Sequence, residues 1–115
     1  MSVVNEDIEI TQGTDFRLDL QVTVNSLPYP VTGHRIYFIL KEDYTSQAPI
    51  IELDNLLLGG VTLNNDDTDI SIHITSEQTA AMDFTNGRFE IYLTDPDDVI
   101  SQLVKGRCIF YKSLL

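Results

Sequence analysis

At 115 residues the chain has the size of one ordinary globular domain, and we expect a single domain over residues 1–115. Lys and Arg number 7 against 18 Asp and Glu, and the net charge of −11 argues against nucleic acid and anionic membranes as partners. A basic protein surface remains open as a partner. The first residues lack the features of a signal peptide, so we expect synthesis in the cytoplasm.

The N-terminal part of the chain predicts strands separated by a fixed loop. A short candidate strand covers residues 8–10, and the cleanest alternation follows over residues 15–24, where even positions are apolar and odd positions are polar. That period of two indicates a half-buried antiparallel strand. Pro28, Pro30 and Gly33 then predict a fixed loop, because proline cannot donate to a strand ladder.

The middle of the chain predicts a central strand and two short ones. Residues 34–42 alternate, but Tyr37 and Ile39 make the second face partly apolar, which is typical of a covered strand. Residues 49–53 and 60–63 are shorter strand candidates.

The C-terminal part predicts two more alternating strands around one helical turn. Residues 69–75 and 88–94 each place three apolar residues on one face. Between them, Thr75 and Gln78 have the spacing of a capping box, which predicts a short helical turn near residues 76–82.

Turn residues separate these segments, and a last strand closes the chain. The Asn- and Asp-rich residues 64–68 and 95–98 favour side-chain to backbone bonds, and Asn86-Gly87 predicts a tight turn with positive φ. Residues 107–112 form the closing strand candidate. Seven to eight short antiparallel strands predict an all-β sandwich, favoured over a small closed barrel.

The sequence carries no recognisable catalytic motif, and we expect neither enzymatic activity nor a cofactor. A nucleophile elbow, a phosphate-binding glycine loop and a paired-cysteine zinc site are all missing from the sequence. The lone Cys108 lies in an apolar run and is interpreted as a core residue. A joint role of His34 and His73 would require long-range convergence that the sequence does not indicate.

Two acidic loops are weak candidates for a calcium site. The spacing of Asn65, Asp67 and Asp69 opens like an EF-hand loop, but Ile70 replaces the turn glycine and Ser76 the bidentate glutamate. Ordinary solvated turns are the favoured interpretation, and a shared calcium site of both loops is the alternative. The candidate ligands are Asn65, Asp67, Asp69, Asp95, Asp97 and Asp98.

Apolar and aromatic residues without an obvious place in a strand interior suggest an interface. Tyrosine is enriched at interfaces, and exposed apolar segments often mark assembly surfaces. Packing over neighbouring strands is the alternative for the tyrosines. The candidate interface residues are Tyr37, Leu56, Leu57, Leu58, Tyr92, Tyr111, Leu114 and Leu115.

The order of motifs resembles the immunoglobulin-like N-terminal domain of phage baseplate upper proteins and related small phage virion proteins. The resemblance lies in Gln12-Gly13 before a strand, Thr32-Gly33 at a turn, Asn86-Gly87 before the strand of residues 88–94, and Gly106, expected at a kink or bulge. It implies an Ig-like sandwich in a virion structural protein of the tail, baseplate, neck or capsid decoration. The implied location is the virion, and the implied partners are other virion proteins or copies of the chain. A carbohydrate-binding or adhesive module is the alternative.

Overall fold

The computed structural model describes residues 4–114, which contain eleven strands and one short helix. In chain order these are β1 (Val4–Asn5), β2 (Ile8–Thr11), β3 (Phe16–Gln21), β4 (Thr23–Val24), β5 (Leu27–Pro28), β6 (Arg35–Lys41), β7 (Ile51–Asp54), β8 (Val61–Asn64), β9 (Asp69–Ile74), α1 (Ser76–Ala80), β10 (Asn86–Thr94) and β11 (Ile100–Tyr111).

The strands form two facing sheets. The larger sheet has the order β1-β11-β10-β6-β7, with β2 also on the outer side of β11, and the smaller sheet has the order β3-β9-β8. Strands β1 and β2 run parallel to β11, while the other pairs are antiparallel. This is the order of an Ig-like sandwich with one strand added to the larger sheet, and the predicted all-β sandwich is confirmed.

The core lies between the sheets and follows from the alternation of the sequence. The even residues of β6 and β9 face it and are fully buried, as are the apolar odd residues Phe89 and Ile91 of β10. Phe38 in β6 stacks on Phe89, with ring centroids 5.8 Å apart. Removing these side chains from water is the main favourable term in folding.

The predicted strand over residues 15–24 is interrupted at Val22, which belongs to neither β3 nor β4. Strand β3 ends at Gln21, and β4 and β5 form a small hairpin of their own. Its turn residues Asn25 and Ser26 both have positive φ, as a two-residue hairpin turn requires. Pro28, predicted to lie in a loop, is therefore paired in β5, opposite Thr23.

The predicted turn at Asn86-Gly87 is wrong, because both residues belong to β10. A Cβ atom on Gly87 would lie 2.8 Å from the carbonyl oxygen of Lys41 on the neighbouring strand. The glycine is thus required for close approach of two backbones, and positive φ is not involved.

The closing strand begins seven residues before its predicted start at Arg107, since β11 runs from Ile100 to Tyr111. Its register against β10 shifts between Ile91 and Tyr92, which leaves Leu103 as an extra residue. Leu103 and Val104 are consequently both buried, and this bulge hides the period of two. The bulge expected at Gly106 lies at Leu103 instead.

The predicted helical turn is confirmed as α1, with both bonds of its capping box. Thr75 Oγ1 accepts from the Gln78 amide at 3.2 Å, and Gln78 Oε1 accepts from the Thr75 amide at 2.8 Å. With five residues, this helix of the described chain is not long enough to cross a membrane.

Candidate interaction surface

The turn between β7 and β8 presents three consecutive leucines to solvent. Leu56, Leu57 and Leu58 are 62%, 90% and 52% exposed, and we call them the leucine turn. The sequence analysis placed these residues outside any strand face, and the structure leaves them uncovered. Their role in an interface stays a prediction.

A buried carboxylate holds the leucine turn in one conformation. Asp54 is fully buried, and its Oδ1 accepts hydrogen bonds from the amides of Leu56, Leu57 and Leu58 at 3.1, 2.7 and 2.7 Å. Its Oδ2 accepts from Arg35 Nε at 2.9 Å. The backbone donors of the turn are therefore satisfied from inside, and the leucine side chains are directed outward.

The pKa of Asp54 reflects this arrangement. Burial alone would raise the pKa, but the amides of Leu58 and Leu57, the Arg35 side chain and the Leu56 amide together lower it to about 2. The carboxylate is ionised at neutral pH, and charge-assisted hydrogen bonds are stronger than neutral ones.

Further contacts clamp both ends of the leucine turn. Asn55 Oδ1 accepts from the Ile36 amide at 2.7 Å, and Asn55 Nδ2 donates to the His34 carbonyl at 2.9 Å. At the other end, Gly59 and Gly60 have φ values of +78° and +84°, which side chains rarely adopt. Asn55 thus attaches the turn to the start of β6, and the two glycines allow the chain to enter β8.

A tyrosine face lies on the outer surface of the larger sheet, defined by Tyr37 and Tyr92, which are cross-strand neighbours. The Tyr37 hydroxyl donates to Glu52, and the Tyr92 hydroxyl donates to Glu90 at 2.7 Å. Gln102 donates to the same Glu90 carboxylate. The aromatic rings are therefore held in place by glutamates on the adjacent or the same strand.

Burial and the neighbouring glutamates keep both tyrosines protonated. Desolvation is the largest cause, and with the Glu52 carboxylate it raises the pKa of Tyr37 to about 12. Desolvation and then Glu90 raise the pKa of Tyr92. Both hydroxyls remain neutral donors over the physiological range.

Arg35 connects the tyrosine face to the leucine turn. Its guanidinium carbon lies 4.6 Å from the centroid of the Tyr37 ring, while its Nε donates to Asp54 beneath the turn. One surface therefore combines an apolar turn, an arginine and two tyrosines. The sequence analysis missed Arg35 and Asp54; the Asp-Asn pair just before the leucines was the available signal, since both residues favour turns.

The other predicted interface residues lie apart from this surface. Tyr111 is half exposed at the end of β11, with its hydroxyl 3.5 Å from Glu9. Leu114 is fully exposed beyond that strand, and Leu115 lies outside the described residues.

Several of the calcium candidates make hydrogen bonds within the protein. Asp95 Oδ1 accepts from the amides of Asp97 and Val99, both at 2.9 Å, in the turn that also contains Asp98. In the other loop, Asn65 donates to Asp69, and Asp67 accepts from Thr32 at 2.7 Å. Within residues 4–114, no three His, Cys, Asp or Glu side chains converge on a metal position. The calcium site therefore stays the alternative to the favoured interpretation of ordinary turns.

The remaining reactive side chains have structural surroundings. Cys108 is buried in the core, as predicted, and desolvation raises the pKa of its thiol to about 12. His34 contacts the Thr32 carbonyl at 2.9 Å, and His73 contacts Asp15 at 2.9 Å on the outer face of the smaller sheet. The two histidines therefore have separate partners.

Comparison with known proteins supports the fold. No protein-family model and no curated protein matches the sequence. Among solved structures, the extracellular domain of the voltage-gated sodium channel β4 subunit is similar with a TM-score of 0.50 and 13% identity, over 96% of this chain and 93% of that one.

Two further structures are more distantly similar. Murine CRIg has a TM-score of 0.45 and 14% identity over 94% of this chain and 92% of that one. The fibronectin(III)-like modules of Clostridium thermocellum CbhA have a TM-score of 0.44 and 9% identity, over 95% of this chain and 91% of that one. From its strand order and from the β4-subunit likeness, the chain has an Ig-like β-sandwich fold.

Proposed function

We propose that this chain is a structural protein of a phage virion that acts by protein–protein assembly, without catalysis or a cofactor. Its place would be the tail, the baseplate, the neck or the decoration of the capsid. Two lines of support are the Ig-like sandwich and the resemblance of the sequence to small phage virion proteins. Because this fold serves many functions, the proposal depends on the surface that the sandwich presents.

The observation that carries the proposal is the rigid leucine turn. Exposed apolar side chains usually lie scattered over a surface, whereas here three are consecutive and Leu57 is almost fully exposed. Asp54 and Asn55 already fix the backbone beneath them. A partner that covers the turn would therefore pay little conformational entropy, which favours tight binding.

The tyrosine face extends this surface in the way expected of an interface. Arginine and tyrosine are enriched among residues that dominate binding energy, and Arg35, Tyr37 and Tyr92 lie together beside the turn. The net charge of −11 would attract a partner with a basic surface and orient it before contact. We therefore propose a partner that offers an apolar pocket within basic surroundings.

A carbohydrate-binding module would be expected to place tyrosines beside the Asp- and Asn-rich loops of residues 64–68 and 95–98. The Tyr37 and Tyr92 hydroxyls instead bond to Glu52 and Glu90 on the strands. These contacts do not favour the carbohydrate-binding alternative, so assembly is the one function that we propose.

Mass spectrometry of purified particles tests the proposal. Virions of the phage that encodes the chain are separated from free protein on a density gradient, and each fraction is quantified. We expect the chain in the particle fraction at a fixed ratio to the major structural proteins. Its presence only among soluble proteins would contradict the proposal.

A further inference from the structure

The two sides of the sandwich differ in how their sheet edges are protected. On one side, β7 and β8 have four residues each and are joined by the leucine turn. On the other side, β1 and β2 cover the edge of the larger sheet, but no described strand pairs with the outer side of β3. Strand β3 has six residues and no proline or bulge, so the exposed charges of Arg17 and Asp19 are its main protection against edge pairing.

The hydrogen bonds of β9 show which backbone groups of β3 are open. The His73 amide donates to the Gly60 carbonyl beside β8, so the odd residues of β9 direct their backbone groups to β8 and the even ones to β3. In the antiparallel register, Leu18 lies opposite Ile72, and the even residues of β3 therefore bond to β9. Arg17, Asp19 and Gln21 accordingly present their N–H and C=O groups to the open edge.

The core-facing side chains of β3 are also less buried than those of its partner strand β9. Ile70, Ile72 and Ile74 of β9 are completely buried, whereas their cross-strand partners Leu20, Leu18 and Phe16 are only partly buried. Next to Leu20, a cavity of about 470 Å³ opens between β3–β4 and the β1–β11 edge, and Val22, Val24 and Leu103 contribute to its lining.

The sequence of β3 is complementary to itself in an antiparallel pairing. If Leu18 lies opposite Leu18 of a second copy, Arg17 lies opposite Asp19 and Phe16 opposite Leu20, and each pair occurs twice. Arg17 and Asp19 are both exposed. Arg17 has no carboxylate within salt-bridge distance among the described residues, and Asp19 uses its Oδ1 for Ser71 at 2.7 Å. Its Oδ2 is thus available to an arginine.

The same register satisfies the backbone. Arg17 and Asp19 present open N–H and C=O groups, so their pairs become the hydrogen-bonded pairs of the new ladder, and Leu18 becomes a non-hydrogen-bonded pair. The apolar side chains of both copies remain on the core side of one continuous sheet. Phe16 of the second copy lies beside Leu20, at the mouth of the cavity.

From these observations we infer that the chain forms a two-fold symmetric dimer through β3, centred on Leu18. The occupant of the open edge is a second copy, selected by the paired Arg17 and Asp19 charges. Because the chain has 7 basic and 18 acidic residues, most of its surfaces would place like charges opposite each other in a two-fold dimer. This inference does not depend on the leucine turn, which lies on the opposite side of the sandwich.

A charge exchange tests the dimer. Sedimentation equilibrium should show a concentration-dependent dimer for the wild type. Arg17→Asp or Asp19→Arg alone places like charges opposite each other and should raise the dimer dissociation constant by roughly tenfold or more. The double exchange R17D/D19R should restore association, which a merely damaged surface would not do.

A cysteine pair tests the register. Leu18→Cys places the cysteines of the two copies in a non-hydrogen-bonded pair, with their Cα atoms about 4.5 Å apart. It should give a disulfide-linked dimer under mild oxidation. The matched control Leu20→Cys is equally half-buried, but the register separates its two copies by about 14 Å and allows no bond. Circular dichroism confirms that both variants fold.

Two results would overturn the inference. If the wild type stays monomeric at millimolar concentration, the β3 edge does not pair with a second copy, and a strand of another protein becomes its expected partner. Equal cross-linking of Leu18→Cys and Leu20→Cys would exclude the register centred on Leu18. Variants of Leu57 should leave the dimer unchanged, so failure of the dimer and failure of the assembly function are distinguishable.

Discussion

Asp54 is the side chain that connects the leucine turn to the interior of the protein. It is a fully buried carboxylate with four hydrogen-bond donors, three of them amides of the leucine turn. The sequence predicts a turn at Asp54 and Asn55 from local propensity. It does not predict the burial or the Arg35 contact, because these arise from the pairing of β6 with β7.

Replacing Asp54 with Asn should destabilise the domain by about 2 to 3 kcal/mol at neutral pH. The variant loses charge-assisted bonds from three partly buried amides to a buried carboxylate, and it directs an N–H group toward Arg35, so polar groups remain unsatisfied. Urea denaturation measures the loss. Asp97→Asn, at an exposed turn carboxyl, is the control and should change stability by less than about 0.5 kcal/mol.

The stability difference between the wild type and the D54N variant should depend on pH. The folded pKa of Asp54 is about 2 against an ordinary value of 3.8, so its stabilisation is complete above about pH 4 and declines as the pH falls toward 2. The difference in stability between wild type and D54N should therefore narrow over that range. A difference that stays constant from pH 7 to pH 2 would show that the Asp54 charge does not hold the turn.

At the scale of elements, Gly106 determines how the N-terminal strands meet β11. A Cβ atom there would lie 1.6 Å from the Glu6 carbonyl oxygen, and 3.0 Å from the Phe89 ring. The Glu6 amide donates to Lys105 at 3.0 Å just beside it. The chain thus passes directly over Gly106 between β1 and β2, which any side chain would prevent.

Gly106→Ala should displace this crossing while leaving the rest of the larger sheet intact. Overpacking of this kind costs about 1 to 3 kcal/mol. Compared with the wild type, the variant should show faster hydrogen exchange at the Glu6 amide. The Ile91 amide in the central strand β10 should remain protected. Unchanged protection at Glu6 would mean that the N-terminal segment does not cross at Gly106.

Strict alternation predicts an element well where a strand is regular. The alternation of residues 69–75 and 88–94 correctly predicted β9 and β10. In both strands, one face is buried and the other is more exposed along the whole length. The prediction failed at β11, where the bulge at Leu103 buries two consecutive residues, and at Val22, where the alternation continues across the break between β3 and β4. Both failures have a backbone cause that side-chain polarity does not record.

At the scale of the whole molecule, the leucine turn and the β3 edge lie on opposite sides of the sandwich. The sequence identified the leucines and both tyrosines of the tyrosine face as candidates. That they share one surface depends on strand neighbours, since Tyr37 and Tyr92 are 55 positions apart in the chain. Sheet order follows from long-range packing and is not readable from local patterns. The two proposals assign self-pairing to the β3 edge and docking of a partner to the leucine turn.

The most direct test of the account is the retention of a Leu57→Ser variant in purified particles. Leu57 is 90% exposed, so the substitution should leave stability unchanged, and Val99→Ser, at a residue 57% exposed in another turn, is the matched control. We predict that the wild type and Val99→Ser remain in the particle fraction while Leu57→Ser is released. Equal retention of all three proteins would contradict the role of the leucine turn as the assembly interface.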